Sequence, residues 1–340
     1  TAITESALTI PPWDNKLKNT LDNWWTQITI YSERDDRANF IKTVFPNIVN
    51  DAEQKGMSMD YSADELISRV EKEIKKDKSA SEDLKQDEYK ALTEYAKHMK
   101  IDDFQVRPEV IPEDPRVKKL IASVLSVERL REVRALVKFT RMNKKMDKDT
   151  IFCDLTNDKY IKWLPVLEVF GEGIFIELNK NVINDYLESS ELRKNIKSFY
   201  KQSLTEEVTK RILFHTFSHL FMKAVSVESG YSLASIAERI YCEKDQYGIL
   251  IYTASNDSEG TLGGLSRLAK KERLEPIILN TLEFSTLCSN DPLCSDGALS
   301  AHDPTNGAAC HSCMLIPETS CEDYNSNLSR TIVEQLYYGL

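Results

Sequence analysis

The sequence predicts an α+β chain: a helical N-terminal part, then a mixed α/β domain closed by a cysteine-rich module. From about Asn15 to Lys100 the pattern is helical, with mixed charge and aromatic anchors at Trp24, Trp25, Tyr89 and Tyr95. Beyond Pro108, Pro112 and Pro115, helical stretches alternate with short β-branched runs. Five of the seven cysteines then fall between positions 288 and 321.

Ala7-Leu8-Thr9-Ile10 reads as an extended strand, stopped by Pro11-Pro12. The run from Ser68 to Glu88 is nearly all charged and small residues, as in a solvated helix or helical hairpin. The proline-rich break near Ile111 divides a mostly helical region, 1–110, from an α/β domain, 111–340. After it a helix is expected from Val117 to Arg141, because Leu120, Val124, Val127, Leu130, Val133 and Val137 recur at helical spacing. Ile174–Leu178 follows as a strand, then a long helix from Leu204 to about Val227. Gly248–Thr253 is a buried-type strand, and a helix from about Leu265 to Leu287 leads into the cysteine module.

Within that module Cys310-His311-Ser312-Cys313 is a C-x-x-C knuckle, flanked by Cys288 and Cys294 before it and Cys321 after. A tetrahedral zinc site needs four soft ligands, and a two-residue turn brings one pair together. A disulfide cluster is the other use of such cysteines, but the rest of the chain holds only Cys153 and Cys242. A sparse background with one dense knuckle reads as structural zinc in a reducing compartment.

Three further features bear on chemistry. The loop Asn256–Gly264 lies between a strand and a helix, where glycines let backbone amides approach an anion. It lacks both the P-loop lysine and the dinucleotide spacing, so tight-turn geometry is the plainer account. His215-Thr-Phe-Ser-His219 sets two histidines on one helical face, fit for a metal pair or for a hydrogen-bonded polar seam. Glu228 and Glu238 are candidate third ligands. On the expected 117–141 helix, Arg131, Arg134, Lys138 and Arg141 form one basic stripe, suited to a phosphate backbone or an acidic partner.

Net charge is −10, which argues against general nucleic-acid binding, yet the distribution is polarised. Residues 116–148 carry eleven Lys or Arg against Glu128, Glu132 and Asp147, whereas residues 245–340 carry thirteen acids against five bases. No apolar run approaches the ~20 residues of a membrane span. No export signal is visible, so cytoplasm is the expected compartment. The chain opens on Thr1-Ala2-Ile3, and a missing upstream part is expected.

The order of these motifs resembles the DUF1998 or MrfA-type zinc-binding domain family found at the C-termini of certain superfamily 2 helicases. The motifs are His215–His219, Ile249–Tyr252, Asp257–Gly260 with Gly263-Gly264, and then the knuckle. Ser229–Ser235, Asn306–Cys313 and Pro317–Glu322 look closer still to the DrmB-type chains of the bacterial DISARM anti-phage system. Ser6–Trp13, Val127–Leu136 and Val169–Ile174 extend that likeness upstream. The resemblance implies zinc ligands at Cys310, Cys313 and Cys321 with Cys294 as the fourth, Cys288 being the competitor. It implies a non-catalytic scaffold that pairs with a DrmA-like helicase to engage phage DNA, ATP turnover coming from the partner. The alternative is a metal-dependent hydrolase or nuclease acting through His215, His219 and a carboxylate such as Glu228, Glu238 or Asp257.

Overall fold

A computed structural model describes residues 2–8, 21, 23–31, 33–54, 62–79, 84–95, 100–101, 104–139, 165–200, 204–253, 264–300 and 305–340. Its fold is α+β, as expected, and it divides into two compact units. One comprises Pro11–Asp87; the other comprises Thr1–Ile10 together with Glu88–Leu340.

The smaller unit is helical: α1 (Asn23–Thr29), α2 (Arg34–Gln54) and α3 (Ala63–Ser79). Ile41 and Ile48 recur at helical spacing on α2, as Leu66 and Val70 do on α3, and they bury with Leu21 and Ile28. A capping box starts α3. Glu65 Oε2 accepts from the Ser62 amide at 2.8 Å, and the Glu65 amide donates to Ser62 Oγ at 3.3 Å. Arg37 crosses from α2 to Glu71 on α3 as a buried pair at 2.7 Å.

The larger unit is built on an antiparallel sheet of β1 (Ala2–Leu8), β2 (Lys100–Ile101), β3 (Phe104–Pro108), β4 (Ile121–Phe139), β5 (Val166–Leu178), β6 (Ile236–Tyr241) and β7 (Gly248–Thr253). The order is β2-β3-β4-β5-β7-β6, with β1 pairing the far end of β4. The expected boundary near residue 110 falls inside this unit, because Gln105–Pro108 pairs with Leu125–Arg129.

The expected 117–141 helix is corrected. After α4 (Leu84–Lys90), Asp114 caps a short helix, α5 (Pro115–Leu120), whose Pro115 is preset for a first turn. The chain then goes extended for nineteen residues as β4. Both faces of this strand are covered, so apolar residues need not alternate. Val124 buries in the core on one side of the sheet with Ile174 and Ile176, while neighbouring Leu125 buries on the other with Phe104 and Phe175. A strand buried twice can imitate helical spacing.

The basic stripe falls with that helix. Arg131 and Arg134 sit in unbroken register opposite Phe170 and Leu167, so, three apart on a strand, they point to opposite faces. Arg131 pairs with Glu168 at 3.1 Å and Arg134 with the buried Glu132 at 2.7 Å. Lys138 continues β4 at the pairing with Ile3. Arg141 lies outside the described residues, as do Cys153, Asp257 and most of the glycine loop.

One sheet face packs on α8 (Glu206–Ser229), close to the expected bounds. This helix is buried almost all round from Thr209 to Val225, the sign of a central helix rather than a surface one. Thr205 caps its start, and Gly230, at φ +76°, ends it in the left-handed region where only glycine is unstrained. The opposite sheet face carries a polar hub. Arg239 holds Glu88 in a buried pair at 2.5 Å, and Tyr241 donates to the same carboxylate at 3.0 Å. Glu88 also accepts from the Leu8 amide at 3.0 Å. Among the described residues the unit also holds α6 (Lys180–Leu187), α7 (Ser190–Tyr200), α9 (Lys271–Phe284) and α10 (Arg330–Gly339). No helix of the described residues is long and apolar enough to cross a membrane.

Candidate metal centres

Two clusters of metal-capable side chains form in the larger unit among the described residues: Cys288, Cys294, Cys310 and Cys313, and His215, His219, Glu238 and Cys321.

The first rests on turns. After α9 the chain folds on itself, with Asp291 N donating to Cys288 O at 3.1 Å and Cys294 N to Asn290 O at 3.1 Å. In the knuckle, the amides of Met314 and Leu315 both reach Cys310 O, at 2.8 and 3.1 Å. These turns set sulfur–sulfur distances of 3.5 Å for Cys288–Cys310, 3.6 Å for Cys294–Cys313 and 3.7 Å for Cys310–Cys313. Four thiolates bound tetrahedrally at about 2.3 Å lie roughly 3.8 Å apart, so the quartet fits a zinc ion. A disulfide needs about 2.05 Å, and all four cysteines are free. Asn290 supports the sulfurs, its amide reaching Cys288 and its side chain Cys310, each at 3.4 Å.

Four thiolates around a divalent ion leave net negative charge, and two cations answer it. Arg330, 1% exposed, bonds Asp291 and, at 3.0 Å, Ser285 O. It therefore ties the start of α10 to the loop bearing Cys288 and Cys294. Hydrogen bonding from Cys313, helped by Arg330 and opposed by burial, pushes the Cys294 thiol down to about 5. Burial lowers the Lys223 ammonium on α8, while Cys313, Cys310 and Cys288 pull it the other way. Neither cation stood out in the sequence, since each is remote from the knuckle along the chain.

The structure brings Cys294, Cys310 and Cys313 together but puts Cys288, not Cys321, beside them. The turn before Cys321 is drawn toward β6 instead. Ser320 Oγ donates to Leu233 O at 2.7 Å and Glu322 N to Glu238 Oε1 at 3.1 Å, which carries Cys321 away from the knuckle.

There it meets the second cluster. His215 and His219, one turn apart on α8, stand edge to face at 4.4 Å between ring centres. His215 Nε2 lies 3.1 Å from both Cys321 Sγ and Glu238 Oε1, and His219 Nε2 lies 3.5 Å from that oxygen. Both rings and the carboxylate are fully buried. Burial would push Glu238 up, but the two histidines outweigh it and hold the carboxyl well below its usual range. Burial disfavours charge on His215, yet Glu238 raises its pKa overall. Burial, with Glu238 adding, also pushes the Cys321 thiol up. Of the described carboxylates considered with the histidine pair, Glu238 is in place and Glu228 is exposed near the far end of α8.

The glycine loop gives its following amides to the protein itself. Buried Glu172 on β5 accepts from Leu265 N at 2.8 Å, Ser266 N at 3.1 Å, Ser266 Oγ at 2.6 Å and Tyr231 Oη at 3.3 Å.

A helix-buttressed sheet carrying a cysteine quartet defines a protein with a metal-binding module, and the family comparison agrees. Residues 217–314 match the model of the MrfA Zn-binding domain, and all four quartet cysteines lie inside the match. The chain is also similar to the DISARM protein DrmB of Bacillus paralicheniformis, 37% identical over 265 residues. The likeness covers 74% of this chain and 47% of that protein, so the chain spans about half the length of its curated relative. The crystal structure of the DUF1998 helicase MrfA bound to DNA aligns over 69% of this chain and 24% of that one. Its TM-score is 0.33 at 13% identity, too low to extend the comparison.

Proposed function

We propose that this chain is a zinc-stabilised, non-catalytic scaffold in anti-phage defence, one that engages DNA in company with a DrmA-like superfamily 2 helicase. The observation that carries the reading is the 37% identity to a DISARM protein, together with a zinc-type domain of the MrfA family. The four-thiolate set supports a structural metal, since such a site leaves no open position for a substrate. Residues Cys288, Cys294, Cys310 and Cys313 would hold the ion, which supplies cross-linking rather than chemistry. ATP turnover belongs to the partner.

The hydrolase alternative needs an open ligand position at His215 and His219. Cys321 fills the fourth place and burial excludes water, so nothing favours that reading. The basic residues of β4 enter the DNA role singly. Because Arg131 and Arg134 face opposite ways, R131E and R134E should differ in their effect on DNA binding.

The test is reconstitution with the helicase. The chain alone should neither hydrolyse ATP nor cut DNA. The complex should bind DNA with an affinity that falls as salt rises, about one logarithmic unit of slope per phosphate contact. Failure to assemble with any DISARM-type helicase would overturn the reading, as would nuclease activity of the chain alone that disappears in His219→Ala.

A further inference from the structure

We infer that His215, His219, Glu238 and Cys321 hold a second divalent metal of the zinc class, in a closed site that pins α8, β6 and the segment after the knuckle together.

The donor set is complete: two imidazole nitrogens, one carboxylate oxygen and one sulfur, with ligand atoms within 4.8 Å of one another. Nitrogen, oxygen and sulfur donors in one tetrahedral set suit zinc, and a fully buried set leaves no coordination place for water. The groups outside the donors point the same way. His219 Nδ1 lies 2.9 Å from Met314 O. A carbonyl only accepts, so Nδ1 carries the hydrogen and the neutral ring turns a bare Nε2 lone pair into the cluster. His215 Nδ1 faces the Asp323 carboxylate at 3.9 Å. Histidines that bind metal through one nitrogen are oriented through the other, as His219 is here; His215 Nδ1 is too far from Asp323 for a hydrogen bond. Asn325 N donates to Cys321 Sγ at 3.1 Å, a bond that favours a thiolate.

Hydrogen bonding alone leaves the cluster short. His219 Nε2 and Glu238 Oε2 are buried without a hydrogen-bond partner, a costly state for polar atoms that a metal ion would relieve. Two of the four donors, His215 and Cys321, lie outside the stretch that matches the zinc-binding family model. The two centres are also wired together. Met314, whose carbonyl orients His219, directly follows Cys313, so filling the quartet fixes the backbone that presents the second site.

The experiment is metal counting on the intact chain purified without chelator, joined to X-ray absorption at the zinc edge. Two zinc ions per chain are expected, with an average shell of about 2.5 sulfurs and 1.5 nitrogen or oxygen atoms, against four sulfurs for the quartet alone. Glu238→Gln should lower the count by one while cobalt loaded into the quartet keeps its all-sulfur charge-transfer spectrum. If a variant does not fold, the wild-type shell still decides. One zinc per folded chain with an all-sulfur shell would overturn the second site and leave the quartet, and the scaffold reading, standing.

Discussion

The two clusters are assembled in opposite ways. The cysteine quartet draws its donors from residues 288–313, on turns that have little stability of their own, and Cys288 remains partly exposed. The His-Glu-Cys cluster draws from residues 215–321, and three of its donors sit on the central helix and a core strand. A site on turns depends on its metal for shape. A site on packed elements keeps its shape through the core, and the metal would only relieve buried charge and unpaired polar atoms. Removing a donor should therefore unfold the first and merely empty the second.

The sharpest way to break this contrast is Cys313→Ser. Structural zinc binding is worth on the order of 10 kcal/mol, so the variant should be insoluble or lose the fold of residues 285–340. Metal analysis and circular dichroism decide; a folded, zinc-free variant would show that the turns hold themselves. Next in size is Arg330→Ala. Removing a buried cation with several partners costs about 3–5 kcal/mol, so the denaturation midpoint should fall while zinc is still bound, though released faster to a chelator. Unchanged release kinetics would detach Arg330 from the quartet. Glu172→Ala offers a control outside both centres, since leaving several buried donors unpaired costs about 3 kcal/mol. Stability should drop there with no change in metal count. Asn290→Ala should have the smallest effect. Loss of an outer partner weakens metal affinity about 10-fold, measurable by competition with a chromogenic chelator, at nearly unchanged thermal stability.

The same contrast explains how much the sequence disclosed. The knuckle, the long helix at 206–229 and the strand at 248–253 were legible because each is set by local pattern: a two-residue turn, unbroken burial, a short apolar run. β4 was not, since burial on both faces removes the alternation that marks a strand. With it went the basic stripe, whose geometry existed only on a helix. Cys321 sits apart from the knuckle for a similar reason. Its nearness to Cys313 along the chain pointed to the quartet, while hydrogen bonds to Leu233 and Glu238, more than eighty residues away, set its place. Arg330 and Lys223 gave no signal at all, because a cation beside a thiolate cluster is a fact of tertiary structure.

The hydrogen bond from Leu8 to Glu88 has a topological consequence. It joins residues eighty apart, at the two points where the chain departs from the sheet unit and returns to it. In the sequence the helical unit is thus an insertion within the sheet unit. During synthesis β1 must wait, unpaired, until its partner stretch near residues 132–139 leaves the ribosome, while the helices that bury Leu21, Ile28, Ile41, Ile48, Leu66 and Val70 already have a core of their own to settle into. An excursion that begins and ends at one place is also one that evolution can lengthen, exchange or delete without reopening the sheet.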